Sequence, residues 1–145
     1  MRLLFNQIVL SQLGKPYVWG SNGPDDFDCS GLAVYALRLV GAINEDDDYS
    51  AEMLRAKCRQ LAHDEAPEAG DFAFYGRNGK ATHVAIFIDD TRLVSASGGD
   101  SKCKTRKDAV KRGACVKVHQ CAGYRPDLIG VYKNVFLRRK VAQNV

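Results

Sequence analysis

Apolar residues fall at positions 4, 5, 8, 9 and 13 of the first stretch, with polar Asn6, Gln7, Ser11 and Gln12 between them. That spacing predicts a short amphipathic helix near the start. From Leu32 to Val40 the run LAVYALRLV carries a single charge, which predicts a helix apolar nearly all round and therefore buried. Asp28 suits its N-cap and Gly41 its C-cap. A third helix is predicted from the capping residue Ser50 through MLRAKCRQLAH to about His63. The period then shortens. Residues 71–76, 82–89 and 92–97 read as strands joined by tight turns, and 114–118 and 128–136 supply two more. Residues 98–113 read as a long loop. Helices first and hairpin-linked strands later define an α+β fold, with N-terminal helices on an antiparallel sheet. One domain spanning residues 1–145 accommodates all of it.

Composition leaves this picture intact: 46% hydrophobic and 26% charged residues suit an ordinary globular chain. No apolar run approaches the ~20 residues of a membrane helix, so no membrane span is expected. The first fifteen residues hold one Arg, a short apolar run and no small-residue cleavage site before Lys15. They read as part of the fold, with no export signal, and predict a product made in the cytoplasm.

The net charge of +4 is unevenly spread. Glu45, Asp46, Asp47 and Asp48 form an acidic loop. Lys102, Lys104, Arg106, Lys107, Lys111, Arg112 and Lys117 form a basic stretch, and Arg138, Arg139 and Lys140 follow. A basic face concentrates anionic partners, but a solvated lysine-rich loop explains it more simply. With no aromatic interleaving and no nucleic-acid motif, no nucleic-acid partner is expected. The five cysteines fit either one free thiol beside two pairs or five reduced thiols. Cys103, Cys115, His119 and Cys121 match no common zinc spacing, so no metal is expected.

The chemistry centres on residues 14–41. A turn-rich loop from Gly20 to Asp26 leads into Asp28-Cys29-Ser30-Gly31, which opens the buried helix. A cysteine in a first helical turn faces unpaired N–H groups and the positive end of the macrodipole. Its pKa is then expected to fall toward ~3.5–7.5, against ~8.5 for a free thiol. His83 opens the strand THVAIFID, on one face with Ala85 and Phe87 and opposite Val84, Ile86 and Ile88. Helix-start cysteine and strand-start histidine together make a candidate nucleophile and general base.

Taken in order, Pro16-Tyr17-Val18-Trp19-Gly20, Asp28-Cys29-Ser30-Gly31-Leu32, Gly70-Asp71-Phe72 and Thr82-His83-Val84-Ala85 resemble the signatures of the NlpC/p-sixty cell-wall endopeptidases. The segment Tyr124-Arg125-Pro126-Asp127-Leu128-Ile129-Gly130 resembles that family's last strands. The resemblance implies a papain-like fold and a cysteine peptidase acting on peptidoglycan stem peptides, typically between D-glutamate and a diamino acid. It implies no cofactor. Cys29 matches the nucleophile, His83 the base and Tyr17 a tyrosine beside the oxyanion. Asp28 and Ser30 match positions that hold the stem's free amine, and Trp19 adjoins them as a substrate-binding candidate. The family's usual third polar residue, commonly a histidine twelve positions after the base, falls here on Ser95. Ser95 is expected to act on His83 directly or through water, with His119 as the substitute.

Two rival readings remain. One is a cysteine amidase or acyltransferase on another substrate; the other is a weak or inactive wall-binding or virion module. A leaderless wall hydrolase also fits a phage lysin or tail part, a recycling enzyme, or a contact-delivered toxin with an inhibitor or immunity protein as partner.

Overall fold

The computed structural model describes residues 1–137, so Arg138, Arg139 and Lys140 lie outside the described residues. The helices are α1 (Arg2–Leu10), α2 (Cys29–Leu39), α3 (Ala51–Lys57) and α4 (Arg106–Arg112). The strands are β1 (Arg59–Gln60), β2 (Phe72–Arg77), β3 (Lys80–Phe87), β4 (Leu93–Ser97), β5 (Cys115–His119) and β6 (Leu128–Lys133). Short 3-10 turns occupy Ala122–Tyr124 and Val135–Leu137. The strands form one sheet in the order β1-β6-β2-β3-β4-β5, with every neighbouring pair antiparallel. The α+β expectation therefore holds. No helix among the described residues is long and apolar enough to cross a membrane.

Alternation along the strands sorts side chains onto two faces. Phe74, Val84, Ile86, Val94 and Ala96 join Phe5 and Val9 of α1, Leu32, Ala33, Ala36 and Leu37 of α2, and Leu54 of α3 in the main core. Burying each large aliphatic or aromatic side chain stabilises the fold by ~1.5–3 kcal/mol. Ala73, Tyr75, Ala85, Phe87 and Leu93 face the other way, packed against Ala122, Tyr124 and Val131. Among the described residues no α-helix contributes to this second cluster; the segment after β5 lies on it instead. His83 belongs to the same alternating set as Ala85 and Phe87, as its strand period requires.

A buried ion cluster fastens the ends of the sheet to α1. The Asp71 carboxylate accepts from Arg2 Nη1 at 3.0 Å, Lys133 Nζ at 2.9 Å, and the backbone N–H groups of Glu68 and Asn134, both at 3.0 Å. Burial alone would raise its pKa; these donors and cations outweigh that and hold it below the usual carboxylate range.

Two expectations fail. The third helix stops at Lys57, not His63, because Arg59 and Gln60 pair with Lys133 and Tyr132 of β6. Sheet pairing overrides helix propensity there. The loop expected over 98–113 contains α4, whose Thr105 and Asp108 form a reciprocal capping box.

Candidate active site

The start of α2 is fixed by one carboxylate. Asp28 Oδ1 accepts the N–H of Gly31 at 2.7 Å, the expected cap, while Oδ2 accepts the N–H of Gly20 at 2.9 Å. Ser30 Oγ adds a longer contact to Oδ1, 3.4 Å. Gly31 permits this closure, since a Cβ there would stand 1.9 Å from the Ser21 carbonyl oxygen. Burial raises the Asp28 pKa above its ordinary value, against the hydrogen bonds from Gly31 and Gly20.

Cys29 meets the sheet where β3 and β4 part. Those strands pair only at Ile86–Val94 and Phe87–Leu93, so the edge of β3 at residues 82–84 is free of β4. The thiol fills the gap: Sγ lies 3.8 Å from the Thr82 carbonyl oxygen and accepts from the Val84 N–H. The sulfur thus touches the backbone on both sides of His83. Its expected acidity is not found. Burial, then the Asp28 charge, pushes the Cys29 thiol up to about 11, outweighing the helix-end N–H groups. Burial, then the Arg125 charge and His119, pushes His83 down to about 3. At rest the thiol and the imidazole are both held neutral by burial.

His83 is held from the second face. Its Nε2 lies 2.7 Å from the Tyr124 hydroxyl, and no hydrogen bond among the described residues joins it to Ser95. Ser95 instead contacts Tyr124 Oη at 3.3 Å, His119 Nε2 at 2.8 Å, and the Ser97 hydroxyl. Ser97 Oγ also reaches His119 Nε2, at 3.1 Å. The expected direct link from Ser95 to the base is therefore corrected. A phenol stands between them, where the pairing of β4 with β3 stops at Ile86–Val94. Tyr124, which sequence reasoning missed, stacks on His119 with ring centroids 3.7 Å apart and planes 7° apart.

The remaining candidates scatter around this centre. Tyr17 is buried, its ring packed so closely on Gly99 that a Cβ there would lie 2.2 Å from the ring. Burial, then the Cys29 and Asp28 charges, raises its pKa, consistent with a phenol near the sulfur. Trp19 is 54% exposed, and its backbone N–H donates to the Cys103 carbonyl at 2.8 Å. Arg125 clasps Asp127 with two hydrogen bonds, 3.0 and 2.8 Å, and sits 5.5 Å over the Tyr75 ring. All five cysteines are free thiols. Among the described residues, no three His, Cys, Asp or Glu side chains gather closely enough to hold a metal ion.

A cysteine opening a helix, brought against a histidine-bearing strand of an antiparallel sheet, is the papain-like arrangement. The sequence model of the NlpC/P60 family matches residues 14–123, and the chain belongs to that family. It is 32% identical over 84 residues to a probable endopeptidase p60 of Listeria grayi. That match covers 58% of this chain and 16% of the relative, so the chain spans only a small part of that protein. Among solved structures, the peptidoglycan hydrolase RipB of Mycobacterium tuberculosis superposes with a TM-score of 0.64 at 27% identity, covering 92% of this chain and 64% of RipB. RipD of the same organism, described as a non-catalytic NlpC/p60 domain protein adapted to peptidoglycan binding, superposes with a TM-score of 0.67 at 18% identity, covering 92% and 96%.

Proposed function

We propose that the chain hydrolyses peptidoglycan stem peptides through a Cys29 acyl-enzyme, with the bond between D-glutamate and the diamino acid as its target. The observation that carries this reading is the lodging of Cys29 Sγ against the backbone of Thr82 and Val84, either side of His83. The hydrolase RipB and the endopeptidase p60 relatives support the substrate class.

A neutral resting pair dictates the order of events. As Cys29 sulfur attacks the amide carbonyl, its proton passes to His83, because burial disfavours the charged form of both groups at rest. The S–C bond forms and the carbonyl electrons move onto oxygen, facing the Cys29 N–H and the Tyr17 hydroxyl. Collapse breaks the C–N bond, and the leaving amine takes the proton from His83. Water then gives a proton to His83 and adds to the thioester; as the S–C bond breaks and the acid leaves, His83 returns that proton to the Cys29 sulfur. Asp28, Ser30 and Trp19 are assigned to the stem's amine end. No cofactor enters these steps.

The test is digestion of purified peptidoglycan, with mass spectrometry of the fragments. Wild type should release stem peptides cut after D-glutamate, and folded Cys29→Ala should release none. Equal release by both proteins would end the proposal. The rival wall-binding reading draws on Ser95, which gives the base no direct partner, and on the non-catalytic RipD. It predicts wall pull-down with no fragments from wild type.

A further inference from the structure

Tyr124 opens the segment that resembles the family's last strands and received no site role from the sequence, yet it makes the hydrogen bond on which the proposed base depends. A histidine that accepts a thiol proton on one nitrogen needs its other nitrogen fixed, so that the correct tautomer faces the sulfur. His83 Nε2 is occupied by the Tyr124 hydroxyl at 2.7 Å, leaving Nδ1 for the thiol.

The phenol is braced on several sides. Its ring stacks on His119 and meets Tyr75 edge-on, centroids 5.2 Å apart. Tyr75 donates its own hydroxyl to the Ala122 carbonyl at 2.7 Å, pinning the turn that carries Tyr124. Next in the chain, Arg125 is clamped by Asp127. A consistent donor order runs inward to outward: His83 Nε2–H to Tyr124, Tyr124 O–H to Ser95, and Ser95 O–H to His119 Nε2. The last step requires a neutral His119. Burial, then Lys117 and Arg125, pushes that imidazole down to about 4. The charged and titratable groups facing this line are Cys29, Tyr75, Lys117, Arg125 and Asp127.

We infer that Tyr124 is the positioning residue of His83, and that Ser95, Ser97 and His119 join the hydrogen-bond line of the base only through its hydroxyl. This rests on the proposed Cys29–His83 chemistry. The polar partner has thus passed from β4, where Ser95 is too short to reach, to the segment that covers the sheet's second face.

Tyr124→Phe tests the inference, since it keeps the ring stack and removes only the hydroxyl. On a soluble stem peptide, kcat should fall roughly ten- to hundredfold with KM within about twofold. Ser95→Ala should cost about threefold in wild type and nothing further in Tyr124→Phe, the non-additivity of residues acting in series. Nitrogen-15 NMR of His83 at pH 7 should show the Nε2–H tautomer in wild type and a mixture in Tyr124→Phe. Wild-type kcat in a folded Tyr124→Phe protein would overturn the inference, as would an equal Ser95→Ala penalty in both backgrounds. If wild type shows no Cys29-dependent turnover, the hydrolase reading fails alone. The NMR comparison then decides the inference, and an unchanged His83 tautomer overturns it.

Discussion

Cys29 Sγ and the Thr82 carbonyl oxygen stand 3.8 Å apart, at a sheet edge that β4 leaves open. The sulfur lies against this open edge, where the Val84 N–H favours its charged form but does not outweigh burial. That position removes water from the thiol, which is why a helix-start cysteine here is not acidic at rest.

Alkylation of Cys29 by iodoacetamide, read on its own peptide by mass spectrometry, should therefore be slow at pH 6–8. Its rate should climb about tenfold per pH unit past pH 9, following the thiolate fraction. A rate already level at pH 6 would mean a resting ion pair and contradict the buried neutral thiol.

Stability should depend on pH through the two depressed histidines. His83 and His119 stay neutral in the fold to about 3 and about 4, while unfolded histidine titrates near ~6.5. The unfolded chain thus binds more protons in this window, and stability is lost as pH falls below ~6.5. The loss should reach up to about 1.4 kcal/mol per pH unit for buried His83, and less for the partly exposed His119. Urea midpoints at pH 7, 6 and 5 measure it; a flat series contradicts it.

Arg125 lowers the pKa of both His83 and Cys29. Arg125→Gln should raise both, moving the acid limb of the kcat/KM profile to higher pH and making Cys29 alkylate more slowly at pH 9. An opposite movement of either would show that Arg125 acts on the site by packing instead.

Gly99→Ala should disturb Tyr17 more than it disturbs the fold. The added methyl meets the ring at 2.2 Å, and overpacking of this kind costs ~1–3 kcal/mol. Turnover should drop at least as far as in Tyr17→Phe, which keeps the ring in place. Wild-type turnover in Gly99→Ala with a displaced ring would remove Tyr17 from the oxyanion.

Asp71→Asn should destabilise the domain by up to about 3–5 kcal/mol, as expected when one member of a buried ion cluster is neutralised. Arg2 and Lys133 are partly exposed and can turn toward water, which softens the loss. Urea denaturation measures it, and kcat of the folded fraction should be little changed.

The elements that sequence patterning located well are those whose local signals agree with their packing. Asp28 caps α2, the apolar run behind it is buried, and His83 follows the two-residue period of β3. What it missed depends on distant chain. Arg59 and Gln60 carry a helical pattern but are drawn into pairing with β6. The Thr105–Asp108 box was a readable signal for α4, obscured by the surrounding lysines. Tyr124 could not be assigned a role from spacing, since it reaches His83 across 41 positions of sequence through a turn. Cysteine acidity was misjudged because helix position is local and burial is not.

The two oxygens of Asp28 grip different pieces of chain, the first turn of α2 and the amide of Gly20. One atom pair thereby sets the reach of the nucleophile relative to the loop bearing Tyr17 and Trp19. Because burial raises its pKa, Asp28 takes up a proton at a pH where a surface carboxylate is still charged. As pH falls, this clasp is therefore neutralised before the Asp71 cluster, so the aim of the sulfur should drift while the sheet is still fastened to α1.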